Sequence, residues 1–275
     1  MVRLSDLAPL ASGFWRLGLS LPVLALMLWF TRSRAQKDEA FTRRDHWLLL
    51  IAGVAYGVDI ACWHLALFYT SVADATLIVN LAPIIVTLSA IALYGEKPGP
   101  VYLTGFSLAI SGALWLILQK AAGPEPVNRF LGDGMAIGAA VSYAAYMVIA
   151  SGVRRRHSAQ IVVFYTTLIS GLMMLAMALF MGQSLWPQSL FGWAVILGIA
   201  LISHTGGQSL IIYALGHLPA SFASLTQFLQ TAVAAMGAWL LLAEPMTAMK
   251  LAAALAILAG IVICRADPPR RQETR

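Results

Sequence analysis

Apolar residues gather in nine stretches along the chain, at about 10–30, 47–70, 72–94, 100–119, 131–151, 159–181, 190–215, 219–243 and 247–264. A hydrocarbon core about 30 Å thick takes roughly 20 residues of helix, so each stretch predicts one transmembrane helix. Helix is the form such a stretch must take, because inside lipid each backbone N–H and C=O needs a partner within the segment or its neighbours. The linkers are short and carry breakers, as at Gly95-Glu96-Lys97-Pro98-Gly99-Pro100 and Gly123-Pro124-Glu125-Pro126. None is long enough for a soluble domain, so residues 1–275 read as a single all-α membrane domain.

The pattern repeats. A shift of 148 superposes Ala66-Leu67 on Ala214-Leu215, Leu77 on Leu225, Leu93 on Leu241, Glu96 on Glu244 and Gly112 on Gly260 without a gap, with 10 identities in the 50 positions 66–115. The second copy, residues 131–264, holds five spans, and an odd number of crossings inverts one copy relative to the other. An inverted repeat is an architecture of secondary transporters, with the substrate site expected near the midplane where the copies meet. Span 131–151 maps to a counterpart ending near residue 3. The first repeat, 1–120, is therefore expected to lack its first helix, leaving nine visible of ten.

Composition agrees: 60% of residues are hydrophobic, 11% are charged and the mean hydropathy is +0.79, far from soluble proteins at about 45–50% and about 25%. The net charge of +6 would point to nucleic acid in a soluble chain, but here the cations lie between apolar stretches. Of 17 loop cations, 13 lie in 31–46, 95–99, 152–158 and the C-terminal tail, against Arg3, Lys120, Arg129 and Lys250 on the alternate side. The positive-inside rule puts the first set, and the C-terminus, in the cytoplasm of a multi-pass inner-membrane protein. Cys62 and Cys264 sit in apolar spans far apart, so neither a disulfide framework nor a metal site is supported. No removable signal peptide opens the chain.

Three segments carry a family likeness. They are Leu10-Ala11-Ser12-Gly13-Phe14-Trp15-Arg16; Ala66-Leu67-Phe68-Tyr69-Thr70-Ser71-Val72-Ala73-Asp74-Ala75, ending in Gly95-Glu96; and Ala214-Leu215-Gly216-His217-Leu218-Pro219-Ala220, ending in Ala243-Glu244. With them the chain resembles the drug/metabolite transporter superfamily, specifically its ten-helix EamA family. That resemblance implies a bacterial exporter of amino acids and related metabolites, and the YddG-type amino acid exporters are the subgroup it suggests first.

Ionisable groups inside apolar spans are costly and usually face a cavity or a partner; Arg16, Asp59, His64 and His204 qualify. Tyr56, Asp59 and Trp63, at i, i+3 and i+7, share one helix face that is both aromatic and acidic. Rings for a side chain and a carboxylate for an ammonium would suit an amino acid. Asp59 reads equally as a substrate or proton site and as an ion pair with Arg16, and His64 as a packed histidine or a ligand contact. Tyr56 and His204 are equivalent under the shift of 148, so they are expected to face each other across the pseudo-two-fold, with Gln208 one turn beyond His204.

Thr76, Asn80, Pro83 and Thr87 form a stripe, and Pro83 frees the Val79 carbonyl at a kink. Ser224, Gln227 and Gln230 follow helical spacing, and Tyr143 and Tyr146 lie deep in their span. The expected substrate pocket is thus Tyr56, Asp59, Trp63, His64, Asn80, Tyr143, Tyr146, His204, Gln208, Gln227 and Gln230, with Arg16 and Asp59 as an ion pair or coupling site. Structural roles are expected for Trp15, Trp47 and Trp186 as interface anchors, and for Gly53-x-x-x-Gly57 and Gly134-x-x-x-Gly138 as close helix contacts. Glu96 and Glu244 read as helix caps, and Asp74 as a capping-box partner of Ser71.

The sum is a secondary transporter that exports small metabolites, amino acids foremost, by alternating access through a midplane pocket. It needs no cofactor, metal, nucleic acid or ATPase subunit; its partners are a small-molecule substrate and the bilayer. A passive facilitator or channel and a multidrug exporter are the alternatives. An intramembrane enzyme lacks G-x-S-x-G, H-E-x-x-H and a second deep aspartate, and a membrane scaffold is the blandest option.

Overall fold

A computed structural model of the chain describes residues 7–32, 40–70, 72–118, 128–225, 227–233, 236 and 247–269. Seven helices among these are long and apolar enough to cross a membrane: Pro9–Phe30, Arg43–Tyr69, Asp74–Tyr94, Arg129–Val153, Ala159–Phe180, Leu190–Leu215 and Ala248–Ala266; Pro100–Trp115 is a shorter apolar helix. These coincide with eight of the nine expected spans. The remaining one, 219–243, is described only in part, its end from residue 237 lying outside the described residues with Glu244, Ser71 and the 123–126 linker.

Two spans are broken, the second at the proline the sequence marks and the first at a point it does not. The first divides into α1 (Pro9–Gly18) and α2 (Ser20–Arg32), and the span over 72–94 divides into α4 (Val72–Val79) and α5 (Ala82–Tyr94). Pro83 has no N–H to continue the α4 ladder. Around it the Leu81 N–H turns to the Ile78 carbonyl, and the Asn80 amide donates to the Thr76 carbonyl at 2.8 Å. α5 ends at Gly95 with φ 61°, a left-handed turn that lets Gly95 and Glu96 N–H groups reach back to Ile91 and Ala90. The other described helices are α3 (Arg43–Tyr69), α6 (Pro100–Leu118), α7 (Arg129–Val153), α8 (Ala159–Phe180), α9 (Leu190–Gly198), a π-helix over Ile199–Gln208, α10 (Ser209–Leu215), α11 (Ala220–Ser224) and α12 (Ala248–Ala266).

The chain folds into two compact units, Met1–Ala66 with Val141–His217, and Leu67–Ala140 with Leu218–Arg275. Each unit draws on both sequence repeats. In the second unit, α6 and α12 are both 19 residues long and related by the shift of 148, and they cross through small residues. A Cβ on Gly105 would meet the Gly260 carbonyl, and one on Gly112 would meet the Ala253 carbonyl. These two pairs exchange under the shift, the signature of a local two-fold. Glu96, buried, accepts the Ala220 N–H at 3.0 Å and the Ser221 hydroxyl. It therefore caps the start of α11, which joins the two repeats, and not merely its own helix. Asp74 pairs with Arg129 at 3.5 Å; its expected capping partner, Ser71, lies outside the described residues.

In the first unit two serines answer each other across the repeats. Ser20 donates to the Arg16 carbonyl on its own helix and to Ala200; Ser170 donates to the Thr166 carbonyl on its own helix and to Gly53. Gly53 and Gly57 admit α8, with Ile169 and Met173 against them, as the spacing predicts. Among the described residues nothing lies within 4 Å of the missing Cβ of Gly134, and a close approach on α7 is at Gly132, against the backbone of Tyr69 and Thr70.

A Cβ at Gly260 would sit 2.5 Å from the Gly105 carbonyl oxygen and 2.6 Å from the Ala109 nitrogen, backbone atoms that cannot swing aside. Gly260→Ala is expected to cost about 1–3 kcal/mol of stability, the usual cost of overpacking, whereas Gly134→Ala leaves stability unchanged. Thermal melting in detergent checks this; equal melting of the two variants would contradict the α6–α12 crossing.

Candidate functional site

Most of the ionisable and aromatic residues singled out in the sequence come together in the first unit. Arg16 stands on α1, Tyr56, Asp59, Trp63 and His64 on α3, Tyr143 and Tyr146 on α7, and His204 and Gln208 on the π-helix. Thr166 and Thr167 of α8 complete the set; sequence reasoning missed them, although with Ser170 they make a polar stripe in an otherwise apolar span.

Tyr56 and His204 meet. The Tyr56 hydroxyl lies 3.2 Å from Nδ1 of His204, and the Thr167 hydroxyl lies 2.9 Å from Nε2. Both ring nitrogens are occupied, which a neutral imidazole satisfies by donating on one side and accepting on the other. The Tyr56 ring stacks on Tyr146 at 4.6 Å and on His204 at 5.8 Å. Gln208 donates to the Tyr146 hydroxyl at 3.1 Å, and the Tyr143 ring packs 6.0 Å from Tyr146. Every member of this layer is buried.

The π-helix explains how His204 reaches this position. Its i→i+5 pattern frees carbonyls that an α-helix would pair locally, and such turns gather at functional sites. The Ala200 carbonyl takes the Thr205 hydroxyl and the Ser20 hydroxyl, each at 2.9 Å. No local sequence rule announces a π-helix in Ile199-Ala200-Leu201-Ile202-Ser203-His204-Thr205-Gly206-Gly207-Gln208, although the Gly pair marks low helix propensity.

Arg16 and Asp59 edge the layer. The Arg16 guanidinium acts electrostatically on Tyr56, Asp59, His64 and His204. No ion pair joins Arg16 to Asp59 among the described residues, and Nε of Arg16 is buried without a hydrogen-bond partner. The ion pair expected as one reading is thus an electrostatic coupling across a gap. On the far side of α3, Nδ1 of His64 donates to the Ile60 carbonyl at 2.7 Å, which makes it a packed, hydrogen-bonded histidine; its Nε2 is buried and unpartnered. Trp63, half-buried, stands edge-on to His64. Trp15 is no simple interface anchor: it packs with Trp186 and Trp193 and donates to the Leu185 carbonyl.

The remaining expected lining residues belong to the second unit. Asn80 serves the helix break there, Gln227 is half-buried with an unpartnered Oε1, and Gln230 is exposed. Among the described residues no cluster of His, Cys, Asp or Glu has a metal-holding arrangement, and Cys62 and Cys264 are free thiols. The first-unit cluster offers a cation, a carboxyl group, aromatic faces and hydroxyls, which is a binding chemistry.

A family model described as the EamA-like transporter family matches the chain twice, over residues 2–118 and 130–265. The pseudopaline exporter CntI of Pseudomonas aeruginosa is 25% identical over 228 residues, 82% of this chain and 78% of that one. The threonine/homoserine exporter RhtA of Escherichia coli is 27% identical over 253 residues, covering 91% and 80%. A protein known from a crystal structure superposes with a TM-score of 0.76 at 15% identity, over 94% of this chain and 89% of that one, a likeness of fold alone.

Tyr56→Phe would leave Nδ1 of His204 buried without a partner, an expected loss of about 1–3 kcal/mol. Trp63→Ala, at a half-buried ring, is expected to keep the fold and lower transport. Melting in detergent beside efflux from proteoliposomes measures both; wild-type efflux by well-folded Trp63→Ala would remove Trp63 from the site.

Proposed function

The chain belongs to the EamA-like transporter family, and from that premise we propose that it exports amino acids by alternating access, binding them at the Tyr56–His204 layer of its first unit. It is a transporter and not an enzyme, a multi-pass membrane protein whose relatives are small-molecule exporters. In this reading residues 1–275 act as one transporter domain in a bacterial inner membrane, with the C-terminus in the cytoplasm on the strength of the 13 of 17 loop cations.

One observation carries the choice of cargo. Arg16 and Asp59, a cation and a carboxyl group held in apolar spans and both acting on Tyr56, do not close into an ion pair. Two such charges in hydrocarbon would normally neutralise each other directly, since each is costly alone. A third party bearing both charges completes them: the carboxylate of an amino acid on the buried Nε of Arg16, its ammonium on Asp59, its side chain against Trp63. The threonine and homoserine in the name of one relative are molecules of that kind.

The assay is efflux from proteoliposomes of three labelled compounds: threonine, threoninol, which lacks the carboxylate, and 3-hydroxybutyrate, which lacks the amine. Wild-type protein is expected to favour threonine. Arg16→Gln is expected to lose about 10–100-fold on threonine, the worth of a charge-assisted hydrogen bond at roughly 1.5–3 kcal/mol, and little on threoninol. Asp59→Asn should lose on threonine and spare 3-hydroxybutyrate. Equal loss on all three compounds in folded variants would mean that Arg16 and Asp59 shape the protein without reading the cargo.

A further inference from the structure

The first unit is tied at both ends by contacts between the repeats, and one residue of each tie, Asp45 and Trp193, stands at equivalent positions. At one end stands Asp45, in the first turn of α3 and buried. Its Oδ2 accepts the Thr42 N–H at 2.9 Å and the Thr42 hydroxyl at 2.6 Å. The same carboxylate clasps the 154–157 turn: Arg156 Nη1 lies 3.2 Å from Oδ1, and His157 Nε2 lies 3.3 Å from Oδ2. Phe41 covers the clasp, its ring stacked on His157 at 4.3 Å. The turn also holds α10, since Arg154 Nε donates to the Ile212 carbonyl at 3.0 Å. So the start of the 43–69 span and the end of the 190–215 span meet on one turn.

Position 45 maps under the shift of 148 to Trp193. The rise from Trp193 to Ile212 is roughly 28 Å, which sets Trp193 at the opposite end. There its ring packs 5.0 Å from Trp15 and 6.2 Å from Trp186. The loop that carries Trp186 is pinned to the start of α1, where Gln183 accepts the Leu10 and Ala11 N–H groups at 3.1 and 3.2 Å. One end is thus shut by charge and its equivalent by aromatic surface.

In an inverted repeat, equivalent positions lie at opposite membrane faces, and a carrier alternates by loosening one face while the other stays closed. We propose that the Asp45–Arg156–His157 clasp and the Trp15–Trp186–Trp193 cluster are the two alternately broken closures of the transport path. Their chemistry makes them unequal. When the clasp parts, water solvates Asp45 and Arg156 and offsets the lost contacts. When the tryptophans part, apolar area goes to water with nothing to offset it. The Asp45 end is therefore the easier to open.

The proposal rests on the transport reading, but its test needs no substrate. Cys62, half-buried and three residues past Asp59 on α3, reports access to the site in a Cys264→Ala background. Its rate of modification by a membrane-impermeant thiol reagent is measured from each side, in right-side-out and inside-out vesicles. Asp45→Asn and Arg156→Gln are both expected to raise the rate on the order of tenfold from the side bearing the 154–157 turn, the size of one charge-assisted hydrogen bond lost, and not from the other. Trp193→Ala should do the reverse. Asp45→Asn also touches the Thr42 contacts that begin α3, so Arg156→Gln, which leaves them intact, decides if the first variant melts early. An unchanged rate in folded Arg156→Gln protein, or an equal rise from both sides, overturns the proposal. These changes in a protein that exports no threonine would sink the cargo reading and leave the closures standing.

Discussion

A polar group in hydrocarbon has no water to turn to, so whatever partner it finds must come from the protein or its cargo. In the first unit the partners come from the other repeat. Tyr56 finds His204, Ser20 finds the Ala200 carbonyl, and Ser170 finds that of Gly53. Each bond joins residues 117 to 180 positions apart, and each couples a helix of one repeat to a helix of the other. The same demand that makes the spans helical thus ties helices of the two copies together within the first unit.

Within the π-helix the demand is only partly met by the helix itself. Its Ala200 carbonyl draws in Ser20 and Thr205, and its changed winding delivers His204 between Tyr56 and Thr167. A ring held by two hydroxyls keeps its orientation without an ionic partner, so the charges of Arg16 and Asp59 are not consumed by the scaffold. A fold that satisfied those two with each other would have nothing left for a zwitterion.

Long apolar stretches and the 148-residue shift are one-dimensional signals, so the spans and the pairing of Tyr56 with His204 could be read directly. Contacts that depend on where a loop lands could not. Arg156 enters a charge count as one more cytoplasmic cation, yet it reaches Asp45, 111 positions away, a residue with no pattern around it beyond Thr42. Gly134-x-x-x-Gly138 has the right spacing for helix contact, but no described residue packs against Gly134; spacing gives a face and not its partner. Thr167 is invisible because a hydroxyl in a span is usually content with its own i−4 carbonyl, as Thr166 is.

The central claim, that cargo closes the gap between Arg16 and Asp59, is tested most directly by an experimental structure determined with threonine at saturating concentration. Density is expected beside Tyr56, its carboxylate against Nε of Arg16 and its ammonium against Asp59, with the Tyr56–His204 bond kept. Threonine seated away from these residues, with Arg16 and Asp59 closed on each other, would contradict the account.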